Sequence, residues 1–190
     1  TEPGTWNEIP VYQEQVGMDS TAGEFDPSHE GSEVVITTEM GPTYKLVPPE
    51  NQTMDDWPRE KIWDVMDDSG WVVQIGDVYP DHEGNELVYG SRYNNKIHIS
   101  YETENRHIMQ TIFQGITRED PRNMYDIAVG DVLPDIPGEE ILGVDRSGAV
   151  YLVWYEDGWN DKIIWQDSSP LHAVILGDFD TDHAGPEILV

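Results

Sequence analysis

The chain has 190 residues, of which 38 are acidic and 10 are basic, so its formal net charge is −28 at pH 7. This charge excludes nucleic acid and an anionic membrane surface as partners, because both would be repelled. Apolar residues make up 37% of the chain, which excludes a chain that is disordered by composition. No apolar stretch approaches the length of a membrane span, so no membrane insertion is expected.

The acidic excess has several interpretations, which the composition leaves open. It is typical of adaptation to high salt (a halophilic protein), of a surface that collects divalent cations, or of a chain kept soluble by self-repulsion. Solvated acidic faces without a specific role are a further alternative, because the excess is spread over the whole length. The chain contains no cysteine, so no disulfide stabilises the fold.

The predicted elements, taken in chain order, are all strands. NEIPVYQ (7–13), which corresponds to the later aromatic runs, comes first. Four runs follow it: VVI (34–36), TYKLV (43–47), the aromatic EKIWDV (60–65), and WVVQI (71–75), which leads into the next loop. The same order of runs then recurs twice, and HAVIL (172–176) and ILV (188–190) come last. Alternating polar and apolar positions between Gly, Pro, Asn and Asp predict strands, and no useful helical periodicity is present.

Four copies of a loop motif divide these strands into repeats. The copies are GEFDPSHEGSEVVI, GDVYPDHEGNELVY, GDVLPDIPGEEILG and GDFDTDHAGPEILV, which start at residues 23, 76, 130 and 177. Each has an acid after the first Gly, a second Gly eight residues after the first, and a Glu ten residues after it. A period of roughly 50 residues with strand-like content is typical of propeller blades.

We therefore predict that residues 1–190 form a single all-β region of a β-propeller. Each blade is expected to have four antiparallel strands. Because one repeat cannot cover its own apolar faces, the sheets are expected to stack radially. The segment holds about 3.5–4 blades, with the first and last partial, so the propeller is expected to continue beyond both termini. Aromatic residues at equivalent positions are predicted to pack between blades. They are Tyr12, Trp63, Phe113 and Trp165.

The acidic loops are candidate metal sites. Carboxylates at alternate positions of a tight turn direct several oxygens toward one centre, and Ca²⁺ takes six to eight oxygen ligands. Alternatively, these acids accept backbone N–H bonds in Asx-type turns, and the Glu at plus ten is a structural acceptor. The candidates are Asp178, Asp180, Asp182 and Glu187 in the fourth loop, Glu24, Asp26 and Glu33 in the first, Asp77 and Asp81 in the second, and Asp131 and Asp135 in the third.

Three loops also carry a histidine at one shared position, and these are His29, His82 and His183. A symmetric set of imidazoles binds a transition metal or acts as a base. Alternatively, the histidine has only a packing role, which recurs because each repeat has the same structure. The third copy has Ile136 at this position.

The pattern Gly-Asp-Phe-Asp, an acid-rich turn with Gly, and an apolar strand resembles the FG-GAP/VCBS group of β-propeller repeats, which also occurs in the integrin alpha-subunit head. The resemblance covers nearly the whole chain. It implies Ca²⁺ in the acidic loops and a role in extracellular adhesion or glycan handling. The ligands that it implies are Asp178, Asp180 and Asp182, then Glu24 and Asp26, then Asp77 and Asp81.

The expected function is a non-catalytic, extracellular or cell-surface propeller that binds a protein or a glycan on one face, with Ca²⁺ in its loops. One alternative is the propeller part of a carbohydrate-active enzyme, such as a polysaccharide lyase or sugar dehydratase. Another is a structural component of a surface layer or filament. An enzyme would need several polar side chains converging on one face. The candidates are Arg92, Tyr93, His98, His107 and His172.

Overall fold

The structure is a computed structural model that describes residues 17–38, 42–48, 57–63, 70–91, 94–103, 106–115, 124–180, 182 and 185–190. Within these ranges the chain forms fourteen strands and no helix. The described part thus contains no helix that is long and apolar enough to span a membrane. The predicted run 7–13, and with it Tyr12, lies outside the described residues.

The strands form three four-stranded antiparallel sheets and one two-stranded sheet, each in simple chain order. The first sheet comprises β1 (Gly17–Gly23), β2 (Glu33–Thr38), β3 (Thr43–Leu46) and β4 (Arg59–Trp63). The second comprises β5 (Gly70–Gly76), β6 (Glu86–Ser91), β7 (Lys96–Thr103) and β8 (Arg106–Gln114). The third comprises β9 (Met124–Gly130), β10 (Glu140–Asp145), β11 (Ala149–Tyr155) and β12 (Trp159–Gln166). The fourth comprises β13 (Ile175–Gly177) and β14 (Glu187–Leu189).

The repeat predicted from sequence is confirmed as a structural unit. Each acidic loop joins the first and second strands of a sheet, and its first Gly pairs with its Glu to close that hairpin: Gly23 with Glu33, Gly76 with Glu86, Gly130 with Glu140 and Gly177 with Glu187. The run before each loop is therefore the first strand of a sheet, and the aromatic run is the fourth.

Successive sheets pack face to face, and their apolar residues meet in three clusters. Phe25 and Val35 of the first sheet contact Leu87 of the second. Val88 of the second sheet packs with Ile141 of the third, in the largest of the three clusters. A third cluster joins the third sheet to β13 and β14. Residues at adjacent positions of one strand point to opposite faces, so each inner sheet supplies two interfaces.

The first strands of neighbouring sheets are held together by carboxylates. Asp19 Oδ2 accepts the Val73 N–H at 2.9 Å, and Asp126 Oδ2 accepts the Val174 N–H at 2.9 Å. Burial raises the pKa of Asp126, and the charge of Asp19, two sheets away, raises it further. The first strand of each sheet also contacts the first strand of the next sheet, β1 with β5, β5 with β9 and β9 with β13. The sheets are thus arranged like blades that converge at their first strands.

The predicted packing of aromatic residues between sheets holds at Phe113. This side chain is 5% exposed, and its ring centroid lies 4.8 Å from that of Tyr151 in the next sheet. Trp165 differs from the prediction, because it is 58% exposed. Both residues lie opposite an equivalent irregularity in the third strand of their sheets. The side chain of Trp63 lies outside the described set.

We predict opposite outcomes for alanine substitution at these equivalent positions. Phe113→Ala should lower the free energy of unfolding by about 3–5 kcal/mol, because it leaves a cavity between two sheets. Trp165→Ala, its matched control, should change it by no more than about 0.5 kcal/mol, because an exposed ring loses little. Urea unfolding followed by circular dichroism measures both. Equal losses would show that Trp165 is buried in solution.

Candidate functional site

The acidic loops are organised around the Glu at plus ten. In every copy one carboxylate oxygen, Oε2, accepts the backbone N–H groups of the second and third residues after the first Gly. The two distances are 3.0 and 3.3 Å for Glu33, 3.0 and 3.0 Å for Glu86, 2.7 and 2.7 Å for Glu140, and 2.7 and 3.1 Å for Glu187. The interpretation of this Glu as a structural acceptor is therefore confirmed. We call this arrangement the glutamate clamp.

The clamp carboxylate is buried in the first three copies, whereas Glu187 of the fourth is partly exposed. Glu33 and Glu86 are 0% exposed and Glu140 is 1% exposed. A buried carboxylate is costly unless hydrogen bonds satisfy it, and the two N–H groups do so. The second Gly of each loop has φ between 91° and 109°, a backbone conformation that residues other than glycine rarely adopt. The two conserved spacings of the motif thus have one cause, which is the path of the loop around its carboxylate.

The two described loop histidines complete the clamp. Nδ1 of His29 lies 3.0 Å from Oε1 of Glu33, and Nδ1 of His82 lies 2.8 Å from Oε1 of Glu86. Each ring therefore serves its own loop, which favours the packing interpretation over a shared transition-metal site. His183 lies outside the described residues, and Ile136 of the third copy leaves Glu140 with its two backbone donors.

The His82 and Glu86 side chains are joined by a short contact inside the second loop. Nε2 of His82 lies 3.0 Å from the carbonyl oxygen of Glu102, which only accepts, so Nε2 carries a hydrogen. The short contact between Nδ1 and Glu86 Oε1 then needs a second hydrogen, on either atom. Burial raises the pKa of Glu86 to about 7, although the hydrogen bond to His82 acts in the opposite direction.

Several of the carboxylates predicted as metal ligands have protein partners. Asp26 accepts the N–H and the hydroxyl of Ser28 through Oδ1 and is paired with Lys45 through Oδ2. Asp180 Oδ1 accepts the Asp182 N–H in an Asx-type turn, and Asp81 accepts the Tyr155 hydroxyl. The other aspartates and Glu24 are exposed on the loops, and they are Glu24, Asp77, Asp131, Asp135, Asp178 and Asp182.

Across the described residues, no three His, Cys, Asp or Glu side chains are grouped so that they could hold a metal ion. The carboxylates of the described loops therefore do not fit a metal centre as they stand. The clamp explains this arrangement, because Glu33, Glu86, Glu140 and Glu187 direct their carboxylates into the loop backbone. Ca²⁺ in the fourth loop stays a prediction.

A groove of about 990 Å³, open to solvent, lies between the first and second sheets, at the end where the acidic loops are. Its walls include Asp26, Lys45 and Glu60 from the first sheet and His82 and Glu102 from the second. Acidic side chains outnumber the single lysine in this lining, and exposed Glu83 stands at the rim. The groove is thus acidic and rich in hydrogen-bonding groups.

Lys45 fixes the first wall of the groove. Its Nζ lies 2.6 Å from Asp26 Oδ2 and 2.9 Å from Glu60 Oε2, and the residue is 4% exposed. Burial disfavours the charge of Asp26, but hydrogen bonds from Lys45 and Ser28 outweigh it and lower the pKa of Asp26 to about 2. Burial likewise acts to lower the pKa of Lys45, and its two carboxylate partners raise it overall.

An aromatic cluster adjoins the second wall of the groove. The His82 ring lies 4.5 Å from Tyr101, and Tyr101 lies 5.7 Å from Tyr79. Tyr79 in turn contacts Tyr155 and Trp159 of the third sheet, at 5.0 and 6.0 Å. Tyr155 donates its hydroxyl hydrogen to Asp81 at 2.5 Å, and this bond raises the pKa of Tyr155 to about 12.

Sequence reasoning missed the roles of Lys45 and Tyr79, although each left a signal. Lys45 interrupts an apolar run and pairs with Val35, whereas Ile99 and Leu152 occupy the corresponding places in the next two sheets. Tyr79 takes the place of the middle acid in the second loop. Both residues break the repeat, and both lie at the groove or next to it.

The catalytic candidates are not brought together at the groove. His98 is 4% exposed inside the second sheet, and His172 stacks on Tyr125 at 4.7 Å. His107 pairs with Glu102 at 3.0 Å and meets Phe25 edge-on. None of these three lines the groove. Arg92 and Tyr93 lie outside the described residues.

A scan against protein-family models found no match for this chain, and a search of curated proteins found none either. The resemblance to FG-GAP/VCBS repeats therefore stays a prediction that rests on the loop motif and its spacing.

We predict that Glu86 makes the stability of the chain depend on pH. Its pKa is about 7 in the folded chain and about 4.5 ordinarily, so the proton stabilises the fold below about pH 4.5. This contribution is lost as pH rises through about 7. Glu86→Gln should flatten the dependence, because an amide oxygen accepts both backbone N–H groups and does not titrate.

The measurement is urea unfolding between pH 4.5 and 8.5. Glu83→Gln is the matched control, because Glu83 is an exposed neighbour of the same charge. It should leave the slope of stability against pH unchanged. If the Glu86→Gln protein kept the slope of the parent chain, another group would be responsible.

Proposed function

We propose that the chain is part of a β-propeller. Three four-stranded sheets follow one another along the chain, each packs on the next, and their first strands converge. The charge of Asp19 acts on Asp126 across the intervening sheet, which supports first strands gathered near one axis. This architecture places every acidic loop at the same end of the molecule, where loop variation can build a binding face.

We further propose that this face binds a carbohydrate, in a non-catalytic role at the cell surface or outside the cell. The observation that carries the proposal is the polar groove with an aromatic cluster beside it. The carboxylates of Glu60 and Glu83 offer hydrogen-bond acceptors to hydroxyl groups, and aromatic rings offer apolar faces. Protein ligands are the other class expected on this face, but a groove lined by fixed polar groups favours a small polyol.

The charge of the groove narrows the ligand class. Asp26, Glu60, Glu83 and Glu102 face one lysine, so an acidic sugar would be repelled. We therefore propose neutral or amino sugars. The net charge of −28 acts in the same direction at longer range, mainly at low ionic strength.

We retain Ca²⁺ as a proposal for the fourth loop alone. Three acids at alternate positions support it: Asp178, Asp180 and Asp182. All three are exposed, so an ion has access to them, but their carboxylates are not gathered into a metal centre in the structure and would have to turn toward one another to bind it. Glu187 is committed to the clamp and would contribute at most its second oxygen.

A titration with oligosaccharides tests the carbohydrate proposal. Neutral, amino and acidic oligosaccharides are added to the chain, and binding is followed by calorimetry and tryptophan fluorescence, because Trp159 lies in the aromatic cluster. Glu60→Gln should weaken binding about tenfold or more, since a hydrogen bond to a charged group is lost. Asp161→Asn removes the same charge from exposed β12 and is the control.

The outcomes separate the candidate functions. Binding of a neutral or amino sugar that Glu60→Gln weakens and Asp161→Asn spares supports the proposal. Cleavage of the sugar would favour the enzyme alternative. Absence of binding at millimolar concentrations, with the chain folded, would contradict a carbohydrate site and leave the structural alternative.

A second experiment tests Ca²⁺. If the ion occupies the fourth loop, EDTA should lower the melting temperature, and Asp180→Ala should abolish this effect because a ligand is missing. Asp161→Ala is the control and should respond to EDTA as the parent chain does. A melting curve that EDTA leaves unchanged would contradict the proposal.

A further inference from the structure

One histidine in the groove wall contacts an oxygen atom with each of its two ring nitrogens. Nε2 of His82 lies 3.0 Å from the backbone carbonyl oxygen of Glu102, and Nδ1 lies 2.8 Å from Oε1 of Glu86. His82 and Glu102 line the groove, whereas Glu86 is 0% exposed. The ring therefore connects the glutamate clamp of the second loop to the groove wall.

The number of hydrogens on this pair decides whether both contacts can exist. A carbonyl oxygen only accepts, so Nε2 must carry a hydrogen, and the contact at Nδ1 needs another. While the His82–Glu86 pair holds a proton, both contacts are satisfied, whether that proton lies on Nδ1 or on Oε1. Once it has left, the neutral ring has one hydrogen for two acceptors. One of the two contacts must then be lost.

The contact that is lost is the one at the groove. An ionised carboxylate is a stronger acceptor than a neutral carbonyl oxygen, and a buried charge without a partner is costly. The single hydrogen of the ring would therefore move to Nδ1, toward buried Glu86. Water can replace the ring at the Glu102 carbonyl, because Glu102 is partly exposed and lines the open groove.

We infer that His82 is a pH-sensitive switch in the groove wall, which binds the Glu102 carbonyl while the His82–Glu86 pair holds its proton and releases it when that proton passes to solvent. The released state is reached as pH rises. Burial raises the pKa of Glu86 to about 7, which puts the change near neutral pH. The second wall of the groove is thus tied to its clamp below neutrality and released from it above.

Other titratable groups surround the pair. Burial raises the pKa of Tyr101, whose ring lies 4.5 Å from that of His82, so this tyrosine stays neutral. Across the groove, Asp26 and Lys45 stay ionised, because each favours the charge of the other. His107 pairs with the Glu102 carboxylate, and its ring gives signals of its own. The remaining groups are Tyr79 and Glu83 in the loop, Arg106 on β8 and Glu60 on β4.

The first loop supplies a reference within the same chain. Nδ1 of His29 lies 3.0 Å from Oε1 of Glu33, as in the second loop. Nε2 of His29 has no hydrogen-bond partner among the described residues, so one hydrogen on a neutral ring satisfies this pair. Neutral His29 therefore carries its hydrogen on Nδ1, which is the state that the inference assigns to His82 at high pH.

Long-range ¹H–¹⁵N NMR of the histidine rings tests the inference on the chain without ligand. Nε2 of His82 should carry a hydrogen at pH 5.5 and none at pH 8.5, where the ring should match His29. The Tyr101 resonances should shift over the same pH range, because the adjacent ring moves. Glu86→Gln removes the anion and should keep the hydrogen on Nε2 at pH 8.5. Glu83→Gln, at an exposed neighbour, is the control and should behave as the parent chain does.

The inference is wrong if Nε2 of His82 keeps its hydrogen at pH 8.5 in the parent chain, because the contact with Glu102 would then persist. It is also wrong if Glu86→Gln loses that hydrogen as the parent chain does. The parent spectra decide the first point even if Glu86→Gln fails to fold. These readouts do not depend on any sugar, so they stand apart from the test of the groove.

Discussion

The repeat depends on one interaction, in which a single carboxylate accepts hydrogen bonds from two backbone N–H groups at the closed end of a hairpin. The Glu at plus ten is the first residue of the second strand in each copy, and it pairs with the Gly that ends the first. It thereby fixes the register of the hairpin and the path of the loop. The carboxylate inside the turn organises the loop backbone, a role that a bound Ca²⁺ has in a calcium-binding loop.

The loop positions outside the clamp are the ones that build the groove and the aromatic cluster. Because Glu33 and Glu86 hold the loop backbone in the same way, the other loop positions can differ between copies. Asp26 can then pair with Lys45, and Asp81 can accept a bond from Tyr155 of the neighbouring sheet. The groove and the aromatic cluster are therefore variations between copies, built on a constant loop.

The sequence allowed most of the strands and their number in a repeat to be predicted, because these features recur between copies. It did not reveal β1, whose run GMDSTAG has few apolar residues, and it left the Glu at plus ten open between a structural acceptor and a metal ligand. It did not allow the groove to be predicted, because the groove depends on Lys45, which occurs in one copy only. Asp19 and Asp126 were missed for the same reason: each bonds to the next sheet, and the second sheet has Val72 at their position. Exposed Trp165 was missed because its sequence position matches buried Phe113.

The interface between two packed sheets has a dynamic consequence. Stability in a stack of repeats is the sum of the stability of each unit and of the interfaces between neighbours, so local opening can separate two sheets at their shared interface without unfolding either one. The groove lies on one of these boundaries, between the first and second sheets. A ligand bound there would hold the first and second sheets together. The rate at which the two sheets separate would then set how long the ligand stays bound.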